Sequence, residues 1–433
     1  MAIYLETLEH QQKAIDAIVG AMEGCRDFDE KSDPDSRYVY ANPIVKLRTE
    51  NVRKFVEKST KPSSFNLGSN NIIDIKMETG TGKTFVYTKT MYELYKNFGL
   101  NKFIIFVPSL AIKEGAKNFI SADYARRYFS TFYPDVKIDL SVINAGAFNT
   151  KKGRKTLPSE LVDFLEGTRN QYGTIKCLLI NDAMITSKSM TEEYDQTLIS
   201  SVSKPLEAIK ATRPILMIDE PHRFKRDSKA FQAIENLKPQ LILRFGATFP
   251  EIKIGKGKSA TTQKDYSNLV YDLNAVESFN QGLVKAVDAF YPEIHSDEHE
   301  KYTVKSATTS KLTLTKGAKE FEILAGESLP SDFEGGLTFE GGRAKALSSG
   351  LELEKGMKLF PKTSHASYQE IMISQALDKH FEKERENWVR ENAGENPAKI
   401  KTLSLFFIDS ISSYRKEDGW LKSTFEKLLR KKL

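Results

Sequence analysis

Hydrophobic and polar positions change rhythm several times along the chain. Residues 8–22 set Ala14, Ile15, Ile18, Val19 and Met22 on one face, which predicts an amphipathic helix. Residues 26–43 are polar and broken by Pro34 and Pro43. A second helix is expected around 46–58, and Pro62, Ser63, Ser64 and Gly68 then mark a turn. From residue 71 short apolar runs recur: Asn71–Lys76, Lys102–Val107, Lys137–Ile143, Lys176–Ile180, Pro214–Asp219 and Gln240–Phe245. Helical patterns follow the first two, over Thr84–Asn97 and up to Asn118. Apolar strands that alternate with helices are covered on both faces, as in a parallel sheet. This predicts an α/β domain over 71–250, preceded by a helical extension over 1–70.

Beyond residue 250 the texture shifts. Residues 253–265 are a loop by composition, and 251–300 is expected to connect domains as loop and helix. Residues 302–316 alternate at period two and are rich in Thr, which predicts antiparallel strands. Gly335-Gly336 and Gly341-Gly342 suggest hairpin turns, giving a β-rich insertion over 301–362. A long helix is expected at 367–392, with Ile371, Ala376, Leu377, Phe381 and Trp388 in helical spacing. Ile400–Ile408 (IKTLSLFFI) predicts a buried strand, followed by a last helix. No repeat of fixed period is present.

At 433 residues the chain is long enough for two or three domains. A net charge of +6 over that length permits a nucleic-acid surface without announcing one. With 40% hydrophobic and 28% charged residues the composition is that of a globular protein. Cys25 and Cys177 are too few for a disulfide framework or a Cys-rich zinc module, and they fit a reducing, cytoplasmic setting. No apolar run reaches the length of a membrane span, Phe103–Ile112 being interrupted by Pro108 and Ser109. The opening MAIYLETLEHQQ lacks a basic stretch before an apolar core, so no secretion signal is expected.

The strongest chemical signal is Glu78-Thr79-Gly80-Thr81-Gly82-Lys83-Thr84, placed after a predicted strand and opening a predicted helix. A phosphate chain needs backbone N–H groups turned inward at a helix N-terminus, which a glycine-rich turn permits. Lys83 would reach the β- and γ-phosphates, and the Thr84 hydroxyl would ligate Mg²⁺. Met77 stands where the strict pattern has its leading Gly. A second signal is Ile215-Leu216-Met217-Ile218-Asp219-Glu220-Pro221-His222, a buried strand ending in two carboxylates. Asp219 would hold the Mg²⁺, and Glu220 would orient and deprotonate water. Alone, an acidic pair after a strand is often only a strand end; with the phosphate loop it reads as a P-loop NTPase. His222, directly after the acids, is either a structural histidine or a group coupling nucleotide state to the rest of the protein.

Gly246-Ala247-Thr248 at the end of the last strand would bring a hydroxyl near His222 and the acids. Gly255-Lys256-Gly257-Lys258-Ser259 resembles a second phosphate loop, but no strand of length precedes it and no helix follows. It reads as a solvated basic loop able to touch a DNA backbone. The six histidines are dispersed without zinc spacing, and Glu352, Glu354 and Lys355 read as a charged turn and not as a nuclease site. A G-x-S-x-G elbow is absent.

METGTGKT, FIIFVPSLAIKEG, MIDEPHRF and LRFGATF, in this order and spacing, resemble the helicase-like restriction (Res) subunit of Type III restriction-modification enzymes, in the second helicase superfamily. The DEPH form of the acidic motif is the discriminating detail. Residues 266–287 and 403–415 also look like that family, so the resemblance covers essentially the whole chain. It implies a RecA-like ATPase domain, ATP and Mg²⁺ as cofactors, duplex DNA as partner and a methyltransferase (Mod) subunit that reads the DNA sequence. Residue by residue, Gln11 would read adenine, Thr79, Gly80, Thr81, Gly82, Lys83 and Thr84 would form the phosphate loop, and Asp219 and Glu220 would be the catalytic acids. Pro108 and Ser109 would touch the DNA backbone, and Thr248 would couple, with Gly246 in place of the more usual Ser.

Such helicases hold ATP between two RecA-like domains, the second supplying arginine fingers. No Gln-x-x-Gly-Arg-x-x-Arg pattern occurs, Gly342-Arg343 being a weak echo. Residues 363–433 are therefore expected to begin a second RecA-like domain, in the N-terminal part of a longer subunit whose nuclease domain lies elsewhere. A nucleotide-dependent binding or switch module, or a decayed fragment without turnover, is the alternative. A small-molecule kinase is disfavoured by the acidic pair and the coupling tripeptide.

Overall fold

The computed structural model describes residues 5–25, 41–59, 71–144, 148, 150–151, 154–155, 157–165, 173–194, 202–254, 261–285, 301–333, 337–342, 345–348, 351, 353–359, 361, 366–394, 401–408, 414–415 and 419–433. Gly255–Ser259, Gly335-Gly336, Arg343 and Glu352 lie outside them. The chain divides into two compact units, Met1–Val287 and Asp288–Leu433. Among the described residues no helix is long and apolar enough to cross a membrane.

The first unit is built on strands β1 (Ile72–Met77), β2 (Lys102–Val107), β3 (Lys137–Val142), β4 (Thr174–Asn181), β5 (Ile215–Asp219) and β6 (Leu241–Gly246). A hairpin, β7 (Glu251–Ile254) and β8 (Thr261–Lys264), and strand β9 (Leu269–Leu273) follow. Seven of these form one sheet in the order β9-β1-β6-β5-β2-β4-β3, with every neighbouring pair parallel. This is the expected RecA-like α/β class. One strand, β6, separates the strand that feeds the phosphate loop from the strand that ends in the acids.

Alternation along the strands decides what each face buries. Ile73, Ile75, Phe103, Ile105, Met217 and Leu243 face helices α1 (Glu9–Ala21), α3 (Lys83–Phe98), α4 (Leu110–Ser121) and α5 (Asp123–Phe132). Ile72, Ile104, Phe106, Leu178, Leu216 and Ile242 face the other way, against α6 (Ser159–Leu165), α7 (Pro205–Ala211) and α8 (Lys229–Asn236). A helix at Thr49–Ser59, numbered α2, occupies the second place expected for one.

Ionic groups interrupt these apolar faces, Arg244 with Asp74 and Lys102 among them. Arg244 is wholly buried on β6 directly opposite Asp74 of β1, which is equally buried. Its Nε and Nη2 donate to the two Asp74 oxygens at 2.6 and 2.9 Å, and Nη2 also donates to the Asp265 carbonyl at 2.7 Å. Arg226 binds both Asp265 carboxylate oxygens at 2.8 Å, and the Ser267 N–H donates to Asp74 at 2.5 Å. Lys102 begins β2 with its ammonium donating to the Phe164 carbonyl at 2.5 Å. Burial, and then the neighbouring Lys176 charge, push its pKa down to about 7.

The structure departs from the sequence pattern in three places. Residues within 253–265, expected as loop, form the antiparallel pair β7–β8. The sheet continues past residue 250, because β9 pairs in parallel with β1. In the second unit, residues 401–408 form no strand. They lie extended along α9 (Ala366–Asn392) and α10 (Trp420–Lys432): Thr402 accepts from Asn387, Ser404 meets His380, and the Phe406 ring packs on Phe425. Leu403, Leu405 and Phe407 point away and are 89, 79 and 93% exposed. The apolar alternation is real, but it has a helical support on one side and no sheet around it.

The remainder of the second unit is the expected β-rich region. Strands β10 (Tyr302–Ala307), β11 (Lys311–Lys316), β12 (Lys319–Leu324) and β13 (Lys358–Leu359) form an antiparallel sheet in the order β12-β11-β10-β13. Its core includes Tyr302, Val304, Leu312, Leu314 and Phe339.

Removing one partner of a buried ion pair leaves an uncompensated charge, so Asp74→Ala should cost about 3–5 kcal/mol in urea unfolding. Asp74→Ala combined with Arg244→Met should cost less than the single change. Lys102 has a folded pKa of about 7 against 10.5 unfolded, so the unfolded chain binds more protons between those values. Its contribution therefore makes stability climb from pH 7 towards 10.5, and Lys102→Met should reduce that climb in melts taken across the range.

Candidate active site

The C-terminal ends of β1, β5 and β6 are adjacent, and the motif residues sit on the loops that leave them. After Met77 the chain turns through Glu78–Gly82 and enters α3 at Lys83. Thr81 closes this turn, its N–H and its hydroxyl both donating to the Glu78 carbonyl at 3.3 and 2.7 Å. The Thr79 N–H donates to the Glu78 carboxylate at 2.9 Å. Gly82, the residue before the helix, has φ +91°, and a Cβ there would lie 2.3 Å from Gln11 Nε2. Glycine is therefore favoured by the left-handed backbone, and a Cβ there would also displace the Gln11 amide.

Gln11 is buried on α1, and its amide is used at both ends. Oε1 accepts from the Leu8 N–H at 3.1 Å, and Nε2 donates to the Thr81 carbonyl at 3.2 Å. The same carbonyl is met by His10 Nε2 at 2.8 Å. His10, also buried, stood outside the expected set; its adjacency to Gln11 at the start of an amphipathic helix was the available signal.

Asp219 ends β5 with 6% of its surface exposed, and its Oδ1 is buried without a hydrogen-bond partner. Burial, reinforced by the Glu220 charge, raises its pKa to about 6. Glu220 has φ +56°, an uncommon conformation for a side chain with a Cβ. It is held there by its N–H, which donates to the Phe245 carbonyl of β6 at 3.0 Å. Glu220 Oε1 lies 3.4 Å from Lys83 Nζ, so a charged pair spans the space between the phosphate loop and the acidic motif. Glu220 Oε2 is 3.3 Å from His222 Nδ1, a contact without full hydrogen-bond geometry.

Gly246 abuts this acidic motif directly. A Cβ at 246 would lie 2.5 Å from Pro221 Cδ. The departure from Ser at 246 and the Pro of the DEPH motif thus fit one another sterically. Thr248 is exposed, with no hydrogen bond to His222; the loop after β6 meets the acidic motif through Gly246, Pro221 and the Glu220–Phe245 bond. Ser109 caps α4, its hydroxyl accepting from the Ile112 N–H at 3.3 Å, and Pro108 precedes it at the end of β2. Both are partly exposed.

The donor set suits a magnesium–nucleotide group. Hydroxyl and carboxylate oxygens are the ligands Mg²⁺ takes. The Thr84 hydroxyl, the Asp219 carboxylate with its orphaned Oδ1 and a glycine turn at the N-terminus of the 16-residue α3 supply that chemistry at neighbouring strand ends.

The chain is 48% identical over 441 residues to the Res subunit of the Type III restriction-modification enzyme StyLTI of Salmonella typhimurium, and 34% identical over 440 residues to that of EcoP15I of Escherichia coli. It spans 42% and 43% of the lengths of those two relatives. Among solved structures, the ATP-dependent Type ISP restriction-modification enzyme LlaBIII bound to DNA overlaps 64% of this chain and 16% of its own, at 14% identity and a TM-score of 0.34, too loose an overlap to transfer any residue. The sequence profile of the family described as "Type III restriction enzyme, res subunit" matches residues 4–251, more than half of the chain, and the chain belongs to that family.

Proposed function

We propose that this chain is the ATP-binding, DNA-translocating portion of a Type III restriction endonuclease Res subunit. The observation that carries it is the Lys83–Glu220 pair, 3.4 Å apart, beside the orphaned Asp219 Oδ1. Two motifs far apart in sequence, the phosphate loop and the acidic pair, converge there.

Magnesium, held by Thr84 and Asp219, would neutralise charge on the β- and γ-phosphate oxygens. The N–H groups of Gly80–Lys83 would orient the phosphates. Lys83 leaves Glu220 for the phosphates, and the carboxylate so released accepts a proton from the attacking water. Burial of Asp219 keeps water from competing for the ion. Movement of Glu220 would pull on Phe245 and Pro221, and so on the loop after β6. Duplex DNA would run across the edge that carries Pro108 and Ser109, and a Mod methyltransferase would supply sequence recognition. An arginine finger is worth roughly 10³–10⁵ in rate in related NTPases. Since no Gln-x-x-Gly-Arg-x-x-Arg pattern occurs in these 433 residues, the chain by itself should bind ATP and hydrolyse it weakly.

Calorimetry with ATP and Mg²⁺ tests the site. Lys83→Ala should weaken affinity about 10- to 100-fold, the worth of hydrogen bonds to a charged group; unchanged affinity would place the nucleotide elsewhere. For DNA, affinity for unrelated duplexes should be equal. It should fall about 10³-fold between 50 and 200 mM salt if some six phosphates are contacted. Tight binding to one sequence, insensitive to salt, would contradict a backbone-gripping motor.

A further inference from the structure

One buried polar group in the first unit has no evident duty. Tyr87 lies on α3 one turn past Lys83 and Thr84, so it shares their side of the helix. It is 1% exposed, and its hydroxyl is buried without a hydrogen-bond partner. Buried tyrosine hydroxyls are normally paired, and leaving one unpaired is costly.

The neighbours of that hydroxyl point to what completes it. The Tyr87 ring packs edge-on against Phe245, with centroids 5.8 Å apart at 64°. Phe245 is the register partner of Asp219 across β5 and β6. Burial, and then the Asp219 charge, raise the Tyr87 phenol pKa well above its ordinary value. The Thr84 side chain is near as well, without full hydrogen-bond geometry. Asp219 Oδ1 is itself orphaned. A buried donor lacking an acceptor on α3 and a buried acceptor lacking a donor on Asp219, at the end of β5, thus lie on either side of Phe245.

We propose that Tyr87 is a positioning residue of the magnesium half of the site: its hydroxyl donates to Asp219 Oδ1 when metal and nucleotide are bound, fixing the carboxylate's orientation. The inference rests on the nucleotide reading above. It assigns a role to the hydroxyl alone, since the ring is accounted for by Phe245. Partners that orient a metal ligand typically alter metal affinity 10- to 100-fold when removed.

The test is Tyr87→Phe in the full chain, with a fluorescent ATP analogue titrated in EDTA and in saturating Mg²⁺. The quantity read is the ratio of the two dissociation constants. That ratio should fall about tenfold or more in the variant. Mn²⁺ in place of Mg²⁺ gives a second readout, the EPR signal of free Mn²⁺ reporting metal affinity directly at fixed nucleotide. Without ligand, the variant should melt at or above the wild-type temperature, because an unpaired buried hydroxyl has been removed. A lower ligand-free melting temperature would show that the hydroxyl already serves the fold, overturning the proposal. An unchanged metal-dependent ratio in a chain that binds the analogue would also overturn it, leaving the nucleotide site intact. If the wild-type chain binds no analogue under either condition, the nucleotide reading itself fails, and the role of Tyr87 with it.

Discussion

A guanidinium without access to water lies between β1 and β6, and the geometry of the candidate site follows from how it is paired. Arg244 faces Asp74 across the two strands and reaches on to Asp265 in the segment that leads into β9. A one-residue slip between β1 and β6 would separate these charges inside the core, at a cost far beyond that of a shifted apolar pair. Register is thereby fixed at the strands that matter most. The phosphate loop leaves β1 just beyond Asp74, and Gly246 follows Arg244 by two residues. The buried pair adds to the register that burial of the apolar faces already specifies.

The second constraint is steric. The Pro221 ring fills the space that a Cβ at Gly246 would need, so position 246 admits no side chain while Pro221 is present. The main-chain bond from Glu220 to Phe245 runs alongside. The acidic motif and the loop after β6 are thus joined by backbone and ring contacts, which transmit displacement more rigidly than an exposed hydroxyl such as Thr248.

These sheet strands were legible because β2, β4, β5 and β6 are buried on both faces and predominantly apolar. β9 escaped because its residues Tyr271 and Asp272 are only half-buried, so Leu269–Leu273 carries the weak apolar signal of an edge. The β7–β8 pair escaped because Thr261–Lys264 is polar and exposed, as a loop is, and main-chain bonds alone define it. At 401–408 period-two alternation was present, but alternation reports one supported side and does not reveal whether strands lie to left and right. Within the site, the loop and acids were legible by spacing. Their pairing partners were not, since nothing in the letters shows that a His and a Gln of α1 would share the Thr81 carbonyl.

Glu220 adopts a backbone conformation that glycine would enter freely and that a side chain enters only under restraint. Such a conformation typically costs about 1–3 kcal/mol, supplied by the surrounding structure. The acid is therefore kept at the expense of the fold that carries it. Glycine at 220 would relax the turn while abolishing the carboxylate, so at this position local backbone comfort and an acid at the end of β5 exclude one another.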